Sequence, residues 1–112
     1  MNIQNLAFKI NQLFLKKRVS FDYDNVLVRS KYQKMAKQMI ADGFEVYIIS
    51  DRTSKSGMIA IANEIGIPIL NIFATGSNED KVKQIIQLNI KEHYDSNRAV
   101  ISKIPSIGKL VL

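Results

Sequence analysis

The sequence has 112 residues, 46% of them hydrophobic and 23% charged, and it contains no cysteine. This length suits one domain with its own core, and the lack of cysteine excludes disulfides and thiolate metal sites. No apolar run approaches the roughly 20 residues of a membrane span, and polar residues interrupt the apolar pattern of the N-terminus, unlike a signal peptide. We therefore expect a cytoplasmic protein without a membrane partner. The net charge of +6 favours anionic partners, although solubility alone explains it equally well.

Helical and strand periodicities alternate along the chain. Apolar side chains at helical spacing in residues 2–17 predict an amphipathic helix, so that a segment 1–18 precedes a core of residues 19–112. Further strands are predicted at 19–21, 45–49, 69–73, 92–94 and 109–112, and helices at 31–42, 55–65, 78–88 and 99–104. This alternation predicts a single Rossmann-like α/β domain over 1–112. Its three layers hold a small parallel sheet of about five strands between helices.

Two carboxylates, Asp22 and Asp24, follow the first predicted strand. Functional groups of parallel sheets gather beyond the carboxyl ends of the strands. A hard cation such as Mg²⁺ is bound readily by paired carboxylates, and a carboxylate can also attack phosphorus as a nucleophile. The structural alternative is a turn rich in Asp and Asn.

Three more polar residues lie near the ends of later strands. Ser50 follows the second strand, where its hydroxyl would hold a phosphate oxygen or cap a helix. Lys81, in the first turn of a later helix, would balance phosphoryl charge; Lys83 is the rival candidate on another side of that helix, and a solvated lysine is the alternative for both. Asp95 follows the fourth strand and would complete a metal site or belong to a turn.

His93 is the only histidine of the chain. Without a cysteine or a second histidine, a zinc site is not expected. We expect His93 to be a polar residue of the short fourth strand that lines the entrance of the site.

In these motifs the sequence resembles the haloacid dehalogenase-like (HAD) hydrolase superfamily, over about residues 19–112. The first motif of that family, a hydrophobic strand followed by Asp-x-Asp-x-Thr/Val, corresponds to residues 19–27. The second, a strand ending in Ser or Thr, corresponds to residues 46–50. The third is a lysine, here Lys81, and the fourth corresponds to residues 94–97.

The resemblance implies a Mg²⁺-dependent phosphatase. Asp22 would form an aspartyl-phosphate, Asp24 would serve as acid and base, and Ser50 and Lys81 would bind phosphoryl oxygens. Asp22, Asp24 and Asp95 would hold the metal.

The fourth motif departs from the family pattern. Ser96 and Asn97 stand where the family usually has a second acid. Asn97 is a possible metal ligand, but a neutral ligand holds Mg²⁺ more weakly than a carboxylate. This departure favours an alternative function, a non-catalytic HAD-like binding module. A flavodoxin-like or response-regulator-like domain is a further alternative, which the Asp-x-Asp spacing fits less well.

The loops after the first motif and after the third strand are too short for the cap domain that many HAD enzymes carry. Residues 25–31 and 74–78 are the only connections at these two places. We therefore expect an open site and a bulky phosphorylated substrate, with nucleotides, nucleic-acid ends and phosphoproteins as candidates. A partner subunit could also close the site, so the sequence leaves monomer and homo-oligomer open.

Overall fold

The computed structural model of the protein describes residues 16–112, in which five strands form one parallel sheet. The strands are β1 (Arg18–Phe21), β2 (Glu45–Ser50), β3 (Ile72–Ala74), β4 (Glu92–Asp95) and β5 (Gly108–Leu110). Their order across the sheet is β3-β2-β1-β4-β5. The predicted Rossmann-like α/β class is confirmed. The predicted N-terminal helix lies, apart from its last two residues, outside the described residues.

Four α-helices connect the strands in this part of the chain. They are α1 (Ser30–Ala41), α2 (Met58–Ile65), α3 (Asn78–Gln87) and α4 (Arg98–Lys103). Among residues 16–112, no helix is both long and apolar enough to cross a membrane.

The core consists of two apolar clusters, one on each face of the sheet. Alternate residues of β2 divide between them: Val46 and Ile48 pack with α1 and α2, whereas Tyr47 and Ile49 pack with α3 and α4. A strand that is covered on both faces needs a continuous apolar run, which is the pattern of β2. The clusters therefore complete the three layers that the alternating elements predict.

The edge strand β3 begins later than the sequence predicts. Residues 69–73 were expected to form the strand, but Ile69–Asn71 form a 3₁₀ turn and pairing with β2 begins at Ile72. The reason lies in Asn71, whose backbone N–H donates to the Pro68 carbonyl at 2.9 Å while its side-chain amide donates to the Val46 carbonyl at 3.1 Å. These bonds hold the chain in a turn before it enters the sheet.

Helix α2 also begins later than expected, at Met58 and not at residue 55. Gly57 precedes it with a φ of 81°, a left-handed conformation outside the helical range. A Cβ at this position would lie 3.0 Å from the Tyr23 hydroxyl, so glycine also allows Tyr23 to approach the loop.

The core predicts a contrast between two isoleucines. Ile48 is fully buried in β2, whereas Ile86 is 62% exposed on α3. We expect Ile48→Ala to lower the free energy of unfolding by about 2–5 kcal/mol, because it removes methyl groups and leaves a cavity. Ile86→Ala should change it by less than about 0.5 kcal/mol. Urea denaturation of both variants measures the difference, and equal losses would contradict the assigned core.

Candidate active site

The strand register brings the carboxyl ends of β1 and β4 side by side. Phe21 pairs with Tyr94 across these strands, and the backbone N–H of Asp22 donates to the Tyr94 carbonyl at 2.9 Å. Asp22 follows one residue of this pair and Asp95 follows the other. Two carboxylates that lie 73 positions apart in the sequence therefore become neighbours at one edge of the sheet.

Lys81 binds both of these carboxylates. Its ammonium nitrogen lies 3.0 Å from Oδ1 of Asp22 and 2.6 Å from Oδ2 of Asp95. All three residues are buried, with 1% exposure for Lys81, 5% for Asp22 and 0% for Asp95. The start of α3 explains how the lysine reaches the site, because Ser77 accepts the Asp80 N–H at 3.0 Å and so fixes the first turn.

The two carboxylates differ in their electrostatic surroundings. Burial raises the pKa of Asp22 to about 6, since the Lys81 ammonium offsets only part of the desolvation cost and the Asp95 charge adds to it. Burial acts on Asp95 in the same direction, but hydrogen bonding from His93 and the charge of Lys81 outweigh it, and the pKa of Asp95 is lowered. The negative charge at Asp22 is thus only partly compensated, as suits a group that meets a cation.

His93 does not line an entrance, as the sequence suggested, but is completely buried behind Asp95. Its Nε2 lies 2.9 Å from Oδ2 of Asp95 and its Nδ1 lies 2.7 Å from Oγ of Ser20. Sequence analysis did not identify Ser20. The sequence shows only that Ser20 is a polar residue between Val19 and Phe21, and the strand register alone places it opposite His93.

Asp24 lies at the mouth of the site in an ion pair with Arg52. Its two carboxylate oxygens accept hydrogen bonds from Nε and Nη2 of Arg52, both at 2.8 Å. The guanidinium stacks over the Tyr23 ring, 4.9 Å from its centroid. The hydrogen bonds from Arg52 lower the pKa of Asp24. Sequence analysis did not identify Arg52, although it lies only two residues beyond Ser50.

Ser50 ends β2 at the same edge of the sheet and is fully buried. Its hydroxyl oxygen accepts the Arg52 N–H at 3.1 Å, and its carbonyl accepts both the N–H and the hydroxyl of Thr75, each at 2.8 Å. These bonds hold the loops after β2 and β3 together. The hydroxyl of Ser50 keeps its own hydrogen for donation to an anion.

The structure distinguishes between the two candidate lysines, Lys81 and Lys83. Lys83 is 64% exposed at its side chain and pairs with Glu79 at 3.4 Å, so the lysine of the site is Lys81.

Asn97 donates its backbone N–H to Oδ1 of Asp95, and its side-chain oxygen caps α4 by accepting the Ala99 N–H, both at 2.9 Å. That oxygen already has a partner within the protein.

The donor set of the site suits Mg²⁺ better than a metal that needs a complete protein cage. Across residues 16–112, no group of three or more His, Cys, Asp and Glu side chains is arranged to hold a metal ion. Mg²⁺ typically keeps several waters and binds through one or two carboxylates together with substrate phosphate. The carboxylates of Asp22 and Asp95, which Lys81 joins, are oxygen donors of this kind.

Comparison with known proteins identifies a similar fold. No family model matches the sequence, and no curated protein matches it. A solved structure from Vibrio cholerae, assigned as a 3-deoxy-D-manno-octulosonate 8-phosphate phosphatase, is similar with a TM-score of 0.55 and 15% sequence identity. The match covers 88% of this chain and 65% of that chain. At this level of identity the likeness concerns the fold alone, a parallel α/β sheet with helices on both faces.

The buried triad of Asp22, Lys81 and Asp95 predicts a contrast between the two lysines. Lys81→Met should lower the free energy of unfolding by about 3–5 kcal/mol, because it leaves two buried carboxylates without their cation. Lys83→Met is the control, and we expect a change below about 0.5 kcal/mol, because its ion pair is exposed. Thermal and urea unfolding measure both. A Lys81 variant as stable as the Lys83 variant would show that the buried ion pairs are wrongly assigned.

Proposed function

We propose that the protein is a Mg²⁺-dependent phosphatase that acts through an aspartyl-phosphate on Asp22. One observation carries the proposal: the buried ammonium of Lys81 joins Asp22 and Asp95 at the carboxyl edge of the sheet. A fixed cation beside a carboxylate suits phosphoryl transfer, in which catalysis is mostly positioning and stabilisation of charge.

Each proposed step uses a group at this edge. A lone pair of the Asp22 carboxylate attacks phosphorus, the bond to the leaving oxygen breaks, and Asp24 gives that oxygen a proton. Water then attacks phosphorus, returns a proton to Asp24 and releases inorganic phosphate as the bond to Asp22 breaks. Ser50 and Lys81 donate hydrogen bonds to the phosphoryl oxygens in both steps.

Asp24 needs a change of partner before it acts as an acid. Its two oxygens are bound by Arg52, which favours the ionised carboxylate. A phosphoryl group that enters the site carries more negative charge than a single carboxylate, and a guanidinium group binds phosphate with two parallel hydrogen bonds. We therefore propose that substrate takes over Arg52 and frees Asp24 to carry a proton.

Mg²⁺ is the cofactor of the proposal, and Asp22, Asp95 and the Asp24 carbonyl would hold it. When bound, the ion would neutralise charge as phosphate approaches Asp22. One lysine ammonium lies between two carboxylates, and this excess of negative charge supports a further cation at this place.

The proposed substrate is a bulky phosphorylated compound, with nucleotides and nucleic-acid ends as the first candidates. Only residues 75–77 separate β3 from α3, and only Val28 and Arg29 separate the turn Tyr23–Leu27 from α1. No cap domain is inserted at either place, and the net charge of +6 favours an anionic substrate. A screen of phosphorylated compounds that includes 3′- and 5′-phosphorylated oligonucleotides tests this substrate class.

A second candidate function is a non-catalytic module that binds phosphorylated ligands. Two features favour it: Ser96 and Asn97 replace the second acid of the fourth motif, and Arg52 occupies both oxygens of Asp24. Binding of a phosphate ester without turnover in the presence of Mg²⁺ would favour the module over the enzyme.

The proposed nucleophile predicts that Asp22→Asn abolishes turnover of p-nitrophenyl phosphate. The amide keeps the shape of the side chain but does not attack phosphorus. Asp42→Asn is the matched control, because Asp42 is an exposed carboxylate at the far end of α1. Initial rates at saturating substrate, with circular dichroism to check the fold, measure both variants. Near-wild-type activity of the Asp22 variant would exclude Asp22 as nucleophile.

The proposed cofactor predicts that chelation of divalent cations with EDTA abolishes turnover and that added Mg²⁺ restores it. The reason is that the site presents oxygen donors and that Lys81 offers one positive charge to two carboxylates. The rate is measured in a Mg²⁺ titration after chelation, and Ca²⁺ at equal concentration serves as the comparison. Full activity in EDTA would contradict the role of the metal and leave the Asp22 experiment as a separate test of the chemistry.

A further inference from the structure

Ser20 and His93 form a polar pair inside an apolar sheet, and the proposed reaction gives neither of them a role. They are direct partners in the register of β1 and β4, and both are fully buried. Burying polar groups at the centre of a sheet costs free energy unless every donor and acceptor is matched. Here the match is complete, because Oγ of Ser20 binds Nδ1 of His93 and Nε2 of His93 binds Asp95.

The hydrogen bonds determine where the hydrogens lie. An ionised Asp95 carboxylate only accepts, so Nε2 of His93 carries a hydrogen and donates it. In the neutral ring only one of the two nitrogens carries a hydrogen. Nδ1 is then without hydrogen and accepts the hydroxyl of Ser20. The chain of donors therefore runs from Ser20 through His93 to Asp95.

This series of hydrogen bonds ends at Oδ2 of Asp95, the oxygen that also binds the Lys81 ammonium. Oδ2 of Asp95 accepts from His93 at 2.9 Å and from Lys81 at 2.6 Å, while Oδ1 accepts the backbone N–H of Asn97 at 2.9 Å. Each oxygen of Asp95 thus has a fixed partner inside the protein. Together the His93 and Asn97 hydrogen bonds leave Oδ2 as the oxygen that contacts Lys81.

Ser20, His93 and Asp95 have the connectivity of a nucleophilic triad, but the place of Ser20 in the fold does not suit that chemistry. Ser20 lies within β1, the central strand, where its hydroxyl is bound to His93. The groups of the proposed site lie instead at or beyond the carboxyl ends of the strands or on α3. The pair therefore acts through Asp95 and not on a ligand.

We propose that Ser20 and His93 are positioning residues that hold Asp95, and through it the Lys81 ammonium, in the place required beside the nucleophile Asp22. This inference rests on the proposed phosphatase function for its kinetic consequence. The arrangement of hydrogens is a separate consequence that does not depend on activity.

Two substitutions of His93 separate its two ring nitrogens. The amide nitrogen of His93→Gln replaces the Nε2 donor and keeps the bond to Asp95, whereas His93→Asn keeps a partner for Ser20 and loses that donor. We expect His93→Asn to lower kcat for p-nitrophenyl phosphate by about 10- to 100-fold with little change in KM. His93→Gln should retain most of the wild-type kcat. Thermal unfolding shows whether both variants are folded.

A spectroscopic readout tests the arrangement without activity. His93 is the only histidine, so ¹⁵N-histidine labelling gives the resonances of one ring. We expect the neutral tautomer with hydrogen on Nε2 in the wild-type protein. In Ser20→Ala, which barely changes the volume, the Nδ1 resonance should move toward that of a nitrogen without a hydrogen bond while Nε2 keeps its hydrogen.

The outcomes distinguish the two proposals. A wild-type ring with hydrogen on Nδ1 alone, or equal kcat values for His93→Asn, His93→Gln and wild type in an active enzyme, would overturn the positioning role. A protein that hydrolyses no phosphate ester but shows the expected tautomer and the expected Ser20→Ala shift would refute the phosphatase proposal and support the hydrogen-bonded chain. The tautomer together with a kcat loss restricted to His93→Asn supports both.

Discussion

A lysine ammonium without contact to water requires counter-charges that are equally buried, and Lys81 has two of them. Removing an ion from water costs several kcal/mol, and this cost is repaid only when the partners have good geometry and their remaining hydrogen-bonding groups are matched. Asp22 and Asp95 meet this requirement from two neighbouring strands. The cluster therefore depends on the fold, because β1, β4 and the first turn of α3 must all be in place before the three charges meet.

The sheet order supplies this convergence. β1 lies at the centre with β2 and β4 on either side, so residues that follow these strands reach one edge. Apolar clusters cover both faces of the sheet and exclude water from its interior. Ser20 and His93 are tolerated there because each satisfies the other and the second ring nitrogen finds Asp95. The apolar core therefore accommodates these polar side chains because each of them has a hydrogen-bond partner.

The sequence predicted the strands of the sheet and the candidates at its edge, because apolar periodicity and strand ends are local features. It misplaced the start of β3, since the hydrogen bonds of Asn71 depend on its neighbour β2. It gave no indication of Arg52 as the partner of Asp24, nor of Ser20 as the partner of His93. The conformation of the loops brings Arg52 to Asp24, and the strand register brings Ser20 to His93. The periodicity of the sequence does not reveal such contacts between distant residues.

The ion pairs of the site fall into an inner and an outer group that differ in how easily they exchange partners. Asp24 and Arg52 are each more than 40% exposed at their side chains, and a half-exposed pair contributes little net free energy. The inner ion pairs, those of Lys81 with Asp22 and Asp95, are buried, so breaking one of them leaves an uncompensated buried charge. In the proposed reaction, an incoming phosphate therefore displaces Asp24 from Arg52 at low cost while Lys81 stays in place. The exposed outer pair would select the anion, and the buried inner group would present the nucleophile to it.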